Sequence, residues 1–229
     1  MNQQQLSALL QLSSPALPIG GFSYSQGFEA AVDVGIISNE EDAHLWIQQL
    51  LLGVFASCEA PVWILLFQAW KAKSFEKIEH WNQWFWSSRE THELRLETEQ
   101  MGWSLVKLAQ DLSWGNKKLL EVLVNTKPMT LPCAHSYVAV TQSIPLESGL
   151  TAYAFAWLEN QVMAAIKTIP LGQVAGQRIL KSVAEKIPKM TRDAIDRASE
   201  GVPRLNTFAH QLAILSSKHE TQYSRLFRS

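Results

Sequence analysis

The 229-residue chain is 47% hydrophobic, enough for one substantial core and a single domain. Its 20 basic and 21 acidic residues leave a formal charge of −1, which excludes the basic groove that nucleic acid requires. Cys58 and Cys133 are distant from one another, form no Cys-x-x-Cys and follow no secretory leader, so reduced thiols in the cytoplasm are expected rather than a disulfide.

The least generic stretch is an N-terminal elbow, Ser14 to Glu29, SPALPIGGFSYSQGFE. Pro15 and Pro18 bias the residues before them away from helix. Gly20 and Gly21 free the backbone for positive φ or close approach. Ser23 or Ser25 would then cap a helix over Gln26 to Val34. The stretch lacks the Gly-Lys-Ser or Gly-Lys-Thr end of a phosphate loop. It also lacks the strand and three spaced glycines of a dinucleotide fingerprint. Gly21-Phe22-Ser23-Tyr24-Ser25 half-resembles a hydrolase nucleophile elbow, without its closing glycine or preceding strand. A serine hydrolase on Ser23 therefore stands only as an alternative to a turn that packs Phe22 and Tyr24 on the core.

Ser38 and Glu41 form a capping-box pattern, and Ala43, Trp46, Ile47, Leu50, Leu51 and Val54 follow at helical spacing. Leu50 to Trp70 is apolar and of membrane-spanning length, but Glu59 would cost about 2.5–3.5 kcal/mol in a bilayer and Pro61 follows at once. Two buried helices meeting at a turn are expected instead, the second with Pro61 near its start, and no membrane partner. Trp81, Trp84, Phe85 and Trp86 crowd the next segment and suit inter-helix packing.

From Ser87 the chain is charged. Arg89 with Glu93 and Arg95 with Glu99 stand four apart, so a solvated helix start is expected before a buried row of Met101, Leu105, Leu108 and Leu112. Its acids spread around the helix and do not converge with His92, so no metal site is expected there. His44, His80, His135, His210 and His219 show no metal-binding spacing either, and no cofactor is expected. Lys117 to Val124 form a short helix, and Lys127-Pro128 with Leu131-Pro132 a loop. Val138, Val140 and Thr141 would suit a strand, but a lone strand leaves its backbone unpaired, so His135 to Ile144 is assigned to helix. The alanine-rich stretch from Ser148 to Thr168 suits the centre of a bundle. A helix from Gly172 to Ile187 buries Ala175, Ile179, Val183 and Ile187 and stops at Pro188. Thr191 then caps a short helix closing at Gly201, and Pro203 opens the last, with Leu205, Phe208, Leu212 and Leu215 inside. An all-α, single-domain bundle of about ten helices results.

The tail, 218–229, sets Tyr223, Leu226 and Phe227 among Arg225 and Arg228. Apolar anchors beside positive charge suit a docking segment; a tail folded back on its own domain suits them equally.

Three blocks resemble the UreF family of urease accessory proteins: Ser-Pro-Ala-Leu-Pro, Gly-Gly-Phe-Ser-Tyr-Ser and Gly27-Phe28-Glu29 at the start; Ile169 to Gln173 with Gly176-Gln177; and His219-Glu220 followed by Tyr223 to Ser229. Family members often carry a proline after the histidine and a glycine where this chain has Ser136 and Val140. The resemblance implies a non-enzymatic, homodimeric urease maturation factor that binds a UreD/UreH-type protein and a UreG-type GTPase on apo-urease and promotes GTP-dependent nickel insertion. It implies that Gly20, Gly21, Phe22, Ser23, Tyr24 and Glu29 form an element near the dimer and GTPase-facing surface. Asp33, four residues after Glu29, would extend that face. Lys167, Gln173 and Gln177 are further candidates for the GTPase contact, and Tyr223, Arg225, Leu226 and Phe227 for the UreD-type partner. A helical adaptor unrelated to nickel is the other reading.

Overall fold

Asn2 starts α1 (Gln3–Leu12) with a reciprocal cap, its side chain accepting from the Gln5 amide while Gln5 bonds back. This is a computed structural model, and it describes residues 1–199 and 201–229, among which there are eleven helices and no strand. The elbow passes through a single 3-10 turn at Gly21–Ser23 before α2 (Phe28–Asp33). Neither serine is the N-cap of α2, although the Ser25 hydroxyl accepts the Glu29 amide of its first turn at 3.4 Å. Gly27 takes that place at φ 77°, a left-handed turn against Leu212 and Leu215 that a side chain would strain.

Asn39, not Ser38, caps the next helix, accepting from the Glu41 and Asp42 amides while the Ser38 hydroxyl bonds Asp42. The expected turn near Pro61 is also absent. Instead α3 runs unbroken over Glu40–Ala72, 33 residues. Its segment Leu50–Glu59 is wound as π-helix, and the Ala60 amide reaches the Phe55 carbonyl five residues back. Pro61 has no amide to offer the Ser57 carbonyl in the preceding turn. That carbonyl accepts from the Asn206 amide at 2.9 Å, and the Ser57 hydroxyl donates to the Asn206 carbonyl at 2.9 Å. The helix thus keeps its proline by tying down the extended segment around Asn206. By length and composition α3 could cross a membrane, but 72% of its apolar window is buried within the protein.

Trp63 and Trp70 on α3 are fully buried, and their indole N–H groups donate to His135 Nδ1 and the Cys133 carbonyl on α7 (Leu131–Thr141), each at 3.1 Å. The stretch that could have been a strand is therefore a core helix, packed between α3 and α5 (His92–Asp111). At the α5 contact a Cβ on Gly102 would stand 2.6 Å from the Met129 carbonyl oxygen, so the chains meet backbone to side-chain-free backbone. The helices α4 (Phe75–Ser87) and α6 (Lys117–Asn125) pack on α3 and α5 respectively.

On the other side α8 (Leu146–Thr168) buries Ala154, Ala164 and Ala165 completely, and α9 (Gln173–Ala184) packs closely on it. Pro188 does not end a helix but stands second in α10 (Ile187–Ser199), where a missing amide costs nothing, and Thr191 lies inside that helix. The last helix, α11 (His210–His219), starts later than Pro203, so Phe208 lies in the extended segment and is 73% exposed instead of buried.

Candidate functional site

The helix start that looked solvated is covered. Glu93 and Glu97 on α5, and Glu29 on α2, are each about 6% exposed, because the elbow and the tail fold over them. Arg89 does not pair with Glu93. It turns inward, with Nη2 3.2 Å from Cys58 Sγ, Nη1 4.0 Å from Glu59 and its guanidinium 4.3 Å above the Phe85 ring. Thr91 caps α5 through the Leu94 amide and also bonds Ser216 of α11 at 2.7 Å.

The three acids receive the tail. Glu29 accepts the Leu226 amide at 2.8 Å and the Phe227 amide at 3.0 Å, and its Oε2 faces His219 Nε2 at 3.1 Å. Glu93 faces His219 Nδ1 at 2.8 Å and accepts from Arg225 Nη1 at 2.6 Å. His219 is fully buried, with one carboxylate oxygen at each ring nitrogen. Glu97 accepts from Gln26 Nε2 at 2.7 Å and Ser229 Oγ at 2.9 Å. Burial pushes its carboxyl up from 4.5 to about 7, against the lowering effect of those two bonds. From the elbow, the Ser25 amide and hydroxyl both donate to the Ser229 carbonyl, and the Arg228 amide donates to the Ser23 carbonyl. Elbow, α2, α5, α11 and tail thus close into one polar clasp.

The structure brings together most of the expected residues. Gly20 holds φ 76° at the elbow's turn and Gly21 is buried behind it. Phe22 is 63% exposed, not packed on the core, whereas Tyr24 is buried and donates to Gln100. Burial raises the Tyr24 hydroxyl's pKa, helped by the charge of Glu97. Lys167 stands between elbow and tail, its ammonium 5.8 Å from the Phe22 ring and 5.3 Å from the Phe227 ring. The tail has two faces. Phe227 is buried and Arg225 is tied to Glu93, while Tyr223 and Leu226 point outward. Asp33, exposed at the end of α2, does not share the burial of Glu29. Gln173 and Gln177 lie exposed on α9, and among the described residues no hydrogen bond joins them to elbow or tail.

Glu93, Glu97, His219, Ser25, Gln26 and Ser229 were not picked out from the sequence as site residues. One signal was available: the buried row Met101, Leu105, extended back by fours, runs through Glu97 and Glu93. The hydrolase alternative fails on its own requirement, since α1 and turns, not a strand, precede Ser23.

Fold and clasp define an all-helical protein whose buried acids hold its own C-terminal segment. A family model described as UreF matches residues 37–184. The chain is 54% identical over 226 residues to the urease accessory protein UreF of Cupriavidus pinatubonensis, covering 99% of this chain and 98% of that one. It is 52% identical over 225 residues to the urease accessory protein UreF of Polynucleobacter asymbioticus, covering 98% and 97%. It is also 54% identical to the bifunctional urease accessory protein UreEF of Bordetella bronchiseptica, over 98% of this chain but 52% of that longer protein. The chain belongs to the UreF family of urease accessory proteins. Elbow and tail lie outside the residues that the family model matches, yet the matches to the relatives extend into both.

Proposed function

We propose that the protein is a non-enzymatic factor of urease maturation, which binds a UreD/UreH-type protein and a UreG-type GTPase on apo-urease and promotes GTP-dependent insertion of nickel. Nickel is cargo in this reading, and the protein works in the cytoplasm as a homodimer. The observation that carries it is the near end-to-end likeness to proteins named urease accessory protein UreF. The clasp supports a binding role. It fixes Phe22 and Lys167 on one side of the tail and leaves Tyr223 and Leu226 outward, so a stable scaffold presents apolar groups beside charge. The elbow residues Gly20 to Tyr24, tied to the tail through the Ser23 carbonyl, lie with Glu29 near the surface that meets the GTPase and the second protomer, with Lys167 beside them and Asp33, Gln173 and Gln177 as outlying contacts. Tyr223, Leu226 and Arg225 meet the UreD-type partner, while Phe227 anchors the segment.

Co-expression with a UreD-type protein and a UreG-type GTPase, followed by gel filtration with mass detection, tests this. A ternary peak is expected from the intact chain and its loss from the chain lacking residues 223–229. No association with either partner, from a folded sample, would overturn the proposal.

A further inference from the structure

Next to the clasp, and separated from the tail by Glu97, lies a cavity. It offers about 70 Å³ to the centres of water-sized molecules, where one water needs about 10–15 Å³ on that measure. Most of its wall is apolar, including Ile19, Met101, Leu131 and Trp157, but Glu59, Arg89, Glu97, His135, Tyr153 and Gln161 break that surface.

Among the described residues, five buried side-chain polar atoms find no partner within the protein, and three of them belong to this wall: Arg89 Nε, His135 Nε2 and Gln161 Oε1. Their placement is not incidental to one helix, since they come from the loop between α4 and α5, from α7 and from α8. His135 Nδ1 accepts from Trp63, which puts the ring proton of the neutral imidazole on Nε2 as a donor. Burial alone holds that ring neutral, with its pKa lowered to about 3. A guanidinium N–H and an imidazole N–H need acceptors, and an amide oxygen needs a donor. Leaving such atoms unpaired in a protein interior is costly, and polar cavities of this size are wet where apolar ones stay dry.

We propose that this cavity is a built site for a cluster of ordered waters, which accept from Arg89 Nε and His135 Nε2 and donate to Gln161 Oε1 and to the carboxyl groups of Glu59 and Glu97. Water fits this wall, because each molecule supplies both donors and acceptors and serves either orientation of the Gln161 amide. Glu97 then has the tail on one side and the water cluster on the other, so the cluster completes the inner support of the clasp.

Crystals of the full chain test the proposal in two ways. Ordered waters are expected at hydrogen-bond distance, about 2.7–3.2 Å, from all three atoms, and xenon under pressure is expected to stay out. A cavity without density, one closed by collapsed side chains, or one that takes xenon overturns it. In solution, oxygen-17 relaxation dispersion counts long-lived internal waters. Ala156→Leu, which grows an apolar side chain from the wall, should lower that count against the unaltered chain. An unchanged count in a variant with unaltered circular dichroism overturns the proposal, and should the variant not fold, the crystallographic result decides alone.

Discussion

Trp63 and Trp70 on α3 and Glu29 and Glu93 at the clasp are all nearly inaccessible to water, yet opposite means hold them. Around the tryptophans the contacts are numerous, short-ranged and apolar: Trp63 stacks on Phe67 at 5.3 Å, Trp70 meets Tyr137 edge-on at 5.0 Å, and each indole makes one hydrogen bond. Around the acids the contacts are few and directional, and each carboxylate oxygen has a named partner. The first arrangement loses stability in proportion to the volume removed. The second depends on completeness, because deleting one member leaves a buried charge without its partner.

The largest effect expected from that contrast is at Glu29. Glu29→Ala removes the acceptor of two tail amides and one of the two carboxylates around His219, and should cost about 3–5 kcal/mol, the range for breaking a buried pair. Urea unfolding measures it, and proteolysis near residue 225 should accelerate with it. Glu29→Gln keeps an oxygen for the tail and should lose less. A cost below about 1 kcal/mol for the alanine variant would place the acids among exposed pairs and dissolve the contrast.

Next comes the pH dependence of Glu97. Its folded-state pKa is raised from 4.5 to about 7, so the folded chain holds a proton that the unfolded chain releases in that window. The stability this proton brings is complete below about pH 4.5 and lost as pH rises to about 7, roughly 3 kcal/mol in all. Glu97→Gln copies the neutral acid. Its stability relative to the unaltered chain should therefore rise between pH 4.5 and 7 and level off above, as urea unfolding at a series of pH values would show. Parallel curves for the two chains would mean that Glu97 takes up its proton in the folded chain as it does in the unfolded one.

In the apolar region the comparable change is milder. Trp70→Phe keeps a ring but removes the donor to the Cys133 carbonyl and part of a buried ring's volume, so about 1–3 kcal/mol is expected, read as a fall in the urea midpoint at an unchanged slope. If it matched Glu29→Ala, the core would be as dependent on single bonds as the clasp.

The same contrast explains what could be read from the sequence. Core helices announce themselves locally, because Ala175, Ile179 and Val183 repeat on one face whatever surrounds them. Where a local rule failed, a distant residue supplied the reason. A turn was expected before Pro61, with a second helix starting there, but the helix runs on and Asn206 satisfies the Ser57 carbonyl that Pro61 abandons. Glu93 and Glu97 looked solvated beside Arg89 and Arg95, but the cover over them comes from residues 225–229, more than a hundred positions away. The elbow stood out as unusual, and its turn at Gly20 was legible. That Ser25 receives the end of the chain was not, since no periodicity encodes a pairing between the two termini.

The smallest expected effect on stability is at Tyr223 and Leu226, and it separates the tail's two faces. Both side chains point to solvent while the Leu226 amide is the group that Glu29 holds. Replacing both by alanine leaves that amide in place and should change stability by no more than about 0.5 kcal/mol. Phe227→Ala, by contrast, empties a buried ring position beside Lys167 and should release the tail. If Tyr223 and Leu226 contact the UreD-type partner, the double alanine variant loses the ternary peak while its urea curve stays in place. Phe227→Ala then loses both together. A double variant that unfolds early would mean that the outward face also packs on the domain, and the tail would be a structural strap with no free surface to offer.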